Sequence, residues 1–343
     1  MKKYNHELNY VRAILCAIIV ITHILTEYTN ANNTDVAQLE TLYWVRMFLI
    51  FGTAGFLMLT QLIFTLNLQE LPKDYIKRRI QYVFIPYVLM GSFYTYSEAV
   101  YLRTPFITGF IENVLKGQWY GYFIFIILKF FVLNTLIVKL WPKLLSSSIA
   151  VVIAIIFNIF YLYMYHHYDA LSQWVEDMYF FEPNTVIFGW IGYYFVGSYI
   201  GSHYDKIKGY LEQYGLILIF AVTVSYVLFI IFGSHNYSDV SSFNEYILLY
   251  SIIAFLYVIH VSIKSEGIMV EVVSLISMYS FFIYLFHPNV IQYIYNYTER
   301  FEDSTFLFIL TSVVLTFSVC IGLGSILRSF KIFKYIMGTQ PYK

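Results

Sequence analysis

Ten apolar runs, each close to the length that crosses a bilayer, constrain this chain more than anything else in its sequence. A spanning helix needs about 20 mostly apolar residues. By that measure the runs fall at 9–28, 42–64, 80–101, 119–140, 148–165, 186–204, 215–233, 245–263, 273–296 and 305–326. In hydrocarbon every backbone N–H and C=O must find a partner inside the protein, so runs this long are helices. The expected fold is an all-α polytopic membrane helical bundle of about ten transmembrane helices. Connections are short, so residues 1–343 form a single domain with no sizeable soluble part. The shortest run, 148–165, is flanked by Ser146, Ser147 and Ser148. No internal repeat of the kind that marks many transporters is visible.

Composition supports this reading. Charged residues make up 12% of the chain, against about 25% in a soluble domain. Net charge is zero, which removes the electrostatic case for nucleic acid as a partner. There are 35 tyrosines and 32 phenylalanines. Tyrosine favours membrane interfaces and also suits the lining of a polar path. Lys2 and Lys3 ahead of the first apolar run look like the start of a secretory signal. That run is long enough to span and has no clear small-residue cleavage site, so it reads as a retained helix.

Lysine and arginine collect on one side of the expected bundle. Lys2, Lys3, Lys73, Lys77, Arg78, Arg79, Lys139, Lys143, Lys206, Lys208, Lys264, Arg328, Lys331, Lys334 and Lys343 fall in one set of segments. The opposite set holds only Arg103, Lys116 and Arg300. Both termini are therefore expected in the cytoplasm. Asp35, Glu40, Asp169, Glu176, Asp177, Glu182 and Asp239 mark the outer loops. Arg12 and Arg46 lie near helix ends and are placed to snorkel. Lys129 lies near the middle of its run and needs a partner or water.

The first run, LNYVRAILCAIIVITHILTEY, carries Arg12 and His23 in an otherwise apolar helix. Their spacing is about three helical turns, which puts both on nearly one face, roughly 16 Å apart along the axis. Ionisable groups in a membrane helix usually face a protein interior or a wet cavity. Imidazole suits proton abstraction near neutral pH, and Glu27, four residues on, can orient it. The alternative for His23 is a packed side chain bonded to a neighbouring backbone group. His287, in YLFHPNV, has a similar expected depth, and Pro288 beside it breaks helical hydrogen bonding. It reads equally as part of one polar site with His23 or as a hinge with a satisfied histidine.

Two further clusters carry chemistry. KDYIKRRIQYVFIPY brings Lys77, Arg78 and Arg79 to the start of the third run. They suit anionic lipid headgroups or, since Arg pairs bidentately with phosphate, a phosphorylated donor. GQWYGYF presents Trp119, Tyr120 and Tyr122 at the outer end of the fourth run, with Glu98, Tyr94, Tyr96 and Tyr101 on the same side. These form either an interface belt or a stacking platform for a sugar ring. His260 has no assigned role. Cys16 and Cys320 both fall in apolar runs, which argues against a structural disulfide or thiolate metal site. There is no CxxC, HExxH or Gly-rich phosphate loop.

Arg12 and His23, with ten residues between them on the first span, resemble the signature of the acyltransferase-3 family of membrane acyltransferases. IFGTAGF (Ile50–Phe56) resembles that family's Phe-Phe-x-x-Ser-Gly-Phe segment. RRIQYVFIPY (Arg78–Tyr87) resembles its basic third-helix motif, and FFIYLFHP (Phe281–Pro288) its late His-Pro segment. The likeness runs over essentially the whole chain. Asn9 departs from an acid common before the Arg, Ala13 from a Gly, and Ala54 from the Ser of the second-helix segment.

The resemblance implies acyl transfer from a cytoplasmic acyl-CoA to a hydroxyl of an extracytoplasmic glycan. His23 would be the general base, Glu27 would hold its tautomer, and Arg12 would bind the donor's phosphate or pantetheine arm. Arg78 and Arg79 would secure the nucleotide, while Glu98, Trp119, Tyr120 and His287 would meet the acceptor. No metal or bound cofactor is implied. ENVLKGQWYGYF, NTVIFGW, FFIYLFHP and GTQPYK further resemble the branch of this family found in poly-β-1,6-N-acetylglucosamine biofilm systems. That branch implies this polymer as acceptor, a succinyl group as cargo, and membrane lipids and a membrane glycosyltransferase as partners. Export of the polymer is the alternative.

Overall fold

The computed structural model describes residues 5–31, 36–233, 240–297, 305–330 and 334–338. Several residues that carry the charge bias (Lys2, Lys3, Asp35, Asp239, Arg300, Lys331 and Lys343) lie outside them, as does most of GTQPYK. The described residues form helices joined by turns and loops, with no strand. The helices are α1 (Glu7–Ala31), α2 (Val36–Leu49), α3 (Phe51–Leu66), α4 (Tyr75–Arg79), α5 (Ile85–Leu102), α6 (Phe106–Gly109), α7 (Tyr122–Leu140) and α8 (Ser148–His167). After them come α9 (Asp169–Met178), α10 (Ile191–Ser202), α11 (Tyr204–Gln213), α12 (Gly215–Phe232), α13 (Leu248–Lys264), α14 (Val270–Tyr297), α15 (Thr305–Arg328) and α16 (Lys334–Met337).

Eight helical stretches among the described residues are long and apolar enough to cross a membrane. They match eight of the ten expected spans, with α2 and α3 forming one of them. The other two stretches are helical but of a different kind. Residues 80–101 begin with a π-helical segment, Ile80–Phe84, and continue into α5, which carries Ser92, Thr95, Ser97 and Glu98. Residues 186–204 contain a short 3-10 turn, Ile187–Gly189, and the 12-residue α10, about 18 Å of helix. Gly192, Gly197 and Gly201 of α10 are all buried.

Helix α1 packs on α14, α3 and α13, so the apolar run that carries Arg12 and His23 lies inside the bundle. Helix α10 lies along α3 at very short range. A Cβ on Gly197 would fall 2.5 Å from the Met58 carbonyl oxygen, and one on Gly201 2.3 Å from that of Leu62. Glycine therefore permits an approach that any side chain would block. Next to this contact is a buried polar knot. Gln61 Nε2 donates to Asn134 Oδ1 (2.6 Å), and Asn134 Nδ2 donates back to Gln61 Oε1 (3.2 Å) and to Tyr75 Oη (3.3 Å). Tyr194 Oη donates to Asn134 Oδ1 at 2.7 Å. Four helices, α3, α4, α7 and α10, are registered through one asparagine, and each amide satisfies groups that hydrocarbon would leave bare.

Arg46, expected to snorkel, is instead 2% exposed. It sits on α2 where that helix turns into the bundle beside α3, so burial overrides the reach to the surface. Pro288 lies within α14, which continues through it to Tyr297. At the α1 start, Glu7 is buried and accepts from Lys208 Nζ (2.7 Å) and Tyr204 Oη (3.0 Å), which ties α1 to α11. Cys16 and Cys320 are buried and unbridged.

Candidate active site

The His23 ring of α1 lies between two partners. Tyr120 meets it edge-on at 4.7 Å between centroids, and the ring of His287 on α14 is 5.1 Å away. The two histidines thus share one site. His287 is fully buried. Its Nδ1 lies 3.0 Å from the Ile283 carbonyl oxygen, one turn back on the same helix. A carbonyl only accepts, so Nδ1 carries the hydrogen and Nε2 keeps a lone pair. That Nε2 is buried with no hydrogen-bond partner.

Glu27 does not take the expected place behind His23. The Tyr120 hydroxyl donates to Glu27 Oε1 instead. The i+4 spacing does put Glu27 on the His23 face of α1, but the side chain reaches across to the segment before α7. Tyr284, three residues before His287, donates from its hydroxyl to the Tyr120 carbonyl oxygen at 2.6 Å. Its ring lies 6.1 Å from that of His287. The sequence reading missed this tyrosine, although i, i+3 spacing on α14 puts it on the histidine's face.

Arg12 lines two adjoining cavities. One, of about 360 Å³, is also lined by Thr60, Asn67, Glu70, Tyr75 and Arg79. The other, of about 160 Å³, shares Arg12, Thr60 and Ile63 with the first and reaches Ser280, Phe123 and Tyr284. Arg12 Nη1 donates to Ser277 Oγ (3.3 Å), which donates to Asn9 Oδ1 (3.2 Å). Asn9, a departure from the family pattern, is thereby linked to Arg12 through one hydroxyl.

The basic pair at the end of α4 divides. The Arg79 guanidinium lies over the rings of Phe131 (4.6 Å) and Tyr75 (5.0 Å) and borders the larger cavity. These cation–π contacts hold it without using up its charge on a carboxylate. Arg78 points elsewhere, with Nε 2.5 Å from Asp74 and its side chain 65% exposed. That hydrogen bond holds the Asp74 carboxyl below the usual carboxylate range.

Beyond Tyr120 lies a third cavity of about 480 Å³, lined by Tyr94, Gln118, Trp119, Tyr120, Tyr122, Glu182 and Asn184 among others. Trp119 is 4% exposed and packs against Tyr87 and Tyr94, each 5.5 Å between centroids. Its ring is held in the cavity wall by these two tyrosines. Glu98 lies to one side, where it accepts from Asn113 Nδ2 at 2.7 Å. Glu182 was legible in sequence only as part of an acidic loop. Burial raises its carboxyl above the usual range, with a hydrogen bond from Gln118 opposing that rise.

The smaller Arg12 cavity reaches Tyr284, whose hydroxyl bonds the Tyr120 carbonyl oxygen, and Tyr120 lines the outer cavity. The ring of His23 packs against Tyr120 and that of His287 beside Tyr284. No cluster of metal-ligating side chains occurs among the described residues.

Residues 5–325 match the family model described as an acyltransferase domain. The chain is 41% identical over 344 residues to a protein of Staphylococcus aureus (strain MRSA252) named "Probable poly-beta-1,6-N-acetyl-D-glucosamine export protein", covering 100% of this chain and 98% of that one. A Staphylococcus epidermidis protein of the same name is also 41% identical, over 100% of this chain and 97% of its own. No solved structure matches. The chain is a multi-pass membrane protein and belongs to the acyltransferase-3 family.

Proposed function

We propose that the protein moves an acyl group, succinyl by resemblance, from acyl-CoA to hydroxyls of poly-β-1,6-N-acetylglucosamine. The observation that carries this reading is the paired imidazoles, packed against Tyr120 of the outer cavity and Tyr284 of the smaller Arg12 cavity. The lysine and arginine bias puts the Arg79 end at the cytoplasm. There Arg79 and Arg12 bind the phosphates and arm of the donor, since guanidinium pairs with phosphate through charge-assisted hydrogen bonds. Arg78, at the surface, serves lipid headgroups or the outermost part of the nucleotide.

At the centre, His23 removes the proton of the acceptor hydroxyl as its oxygen attacks the thioester carbonyl. The carbon–sulfur bond then breaks, and the departing thiolate takes the proton back from the imidazolium. An ester and a free CoA thiol result. His287 Nε2 can only accept, so it holds a second hydroxyl of the same sugar. Glu27 acts through Tyr120, which it fixes edge-on against His23. The glycan chain lies in the outer cavity, against Tyr94, Tyr120, Trp119 and Glu182.

Export of the polymer is the second reading, favoured by the printed name of the relatives. Changing His23→Ala in a producing cell separates the two. Transfer predicts polymer at the surface without its O-acyl groups. Polymer trapped inside the cell supports export, and intact O-acylation removes His23 as the base.

A further inference from the structure

Lys129 is a lysine in the apolar helix α7, and the mechanism above makes no use of it. An ammonium group within a membrane-spanning helix is costly and marks a functional demand. No carboxylate pairs with it among the described residues. Its Nζ donates instead to the Tyr179 hydroxyl, the Thr185 carbonyl oxygen and the Thr185 hydroxyl, the last at 3.0 Å. It also lies 5.0 Å and 5.5 Å from the ring centroids of Tyr179 and Phe181. Every partner comes from one short loop, 179–185.

That loop forms one side of the outer cavity, to which it contributes Glu182 and Asn184. Two backbone ties complete its path. Glu182 N–H donates to the Lys116 carbonyl oxygen (2.7 Å), and Trp190 Nε1–H donates to that of Asn184 (2.7 Å). Lys129 joins both ends of the loop, Tyr179 and Thr185, to a membrane helix, and Phe125 of the same helix packs on Phe181 between them (5.2 Å). The three ammonium hydrogens of Lys129 match three acceptors, an arrangement no apolar residue could supply.

We propose that Lys129 is a positioning residue: it holds 179–185 as a glycan-recognition loop, so that Glu182 and Asn184 face the acceptor. This inference rests on the acceptor reading of the outer cavity. It concerns binding of the sugar and leaves donor binding and proton transfer untouched.

The test uses full-length protein in lipid nanodiscs, with Lys129→Met and Lys129→Arg. Hydrogen exchange is read over 179–190, together with binding of a labelled β-1,6-linked N-acetylglucosamine oligosaccharide and of acyl-CoA. For Lys129→Met we expect exchange at Glu182 and Thr185 at least about tenfold faster, and oligosaccharide binding about tenfold weaker, with acyl-CoA binding unchanged. Lys129→Arg should restore most of both. Tyr179→Phe, which removes one acceptor and keeps the lysine, should shift both readouts the same way by less. Loop protection equal to wild type in Lys129→Met overturns the anchoring. A loosened loop with unchanged oligosaccharide binding overturns its role in recognition. If wild type itself binds no oligosaccharide, the proposed function falls as well, which the exchange data on the loop distinguish from a failure of the anchor alone.

Discussion

The rings of His23 and His287 lie 5.1 Å apart, centroid to centroid, with their planes inclined at 45°. They reach this contact from α1 and α14, which pack along each other. The two are not equivalent. His287 has one nitrogen committed to the Ile283 carbonyl and the other without a partner. His23 is in contact with Tyr120, whose hydroxyl is held by Glu27.

This asymmetry predicts different kinetics for the two histidines. His23→Ala should lower kcat by about 10²-fold or more, the usual contribution of a general base. His287→Ala should act mainly on the KM for the glycan, about tenfold, because it removes one hydrogen bond to the acceptor. Steady-state acyl transfer to a defined oligosaccharide separates them. An equal loss of kcat in His287→Ala with unchanged KM would reassign the base to His287.

The division of the basic pair on α4 gives a second prediction. Arg79→Gln should weaken acyl-CoA binding about tenfold or more, because the guanidinium borders the same cavity as Arg12 and loses a charge-assisted contact. Arg78→Gln should change it by less than about twofold, since an exposed ion pair contributes little. Titration calorimetry of the two variants with acyl-CoA checks this. An equal loss in both would mean that the nucleotide lies outside the cavity.

The amide pair of Gln61 and Asn134 gives a third. Asn134→Leu leaves the Gln61 amide buried without its partner and should lower stability by about 1–2 kcal/mol. Gln61→Leu combined with Asn134→Leu removes both amides, leaving only the Tyr75 and Tyr194 hydroxyls without that partner, and should recover part of that loss. Thermal unfolding in detergent measures both. Additive losses in the double variant would show that the two amides act independently.

Some of this was legible in the chain because it depends on local spacing. Apolar runs of about 20 residues fixed an all-helical membrane bundle. The interval from Arg12 to His23 put both on one helix face, and that face does line the bundle interior. Other features depended on which helices meet, and spacing along one helix carries no such information. Glu27 had the right offset to reach His23, yet tertiary packing brought Tyr120 within its reach first. Arg78 and Arg79 are adjacent in sequence, but successive residues on a helix point about 100° apart, and only one of them meets the cavity.

The sequence by itself determined that the chain enters a membrane, that its spans are helical, and that the first of them carries two ionisable groups. The tertiary structure alone decided what each group touches. The α10 glycines let two helix backbones close to a separation no hydropathy pattern specifies. Lys129 found its acceptors in a loop some fifty residues further on. The physical reason is common to both cases: inside hydrocarbon a polar group must be satisfied by whichever element packs beside it, and that neighbour is set by the fold of the whole chain.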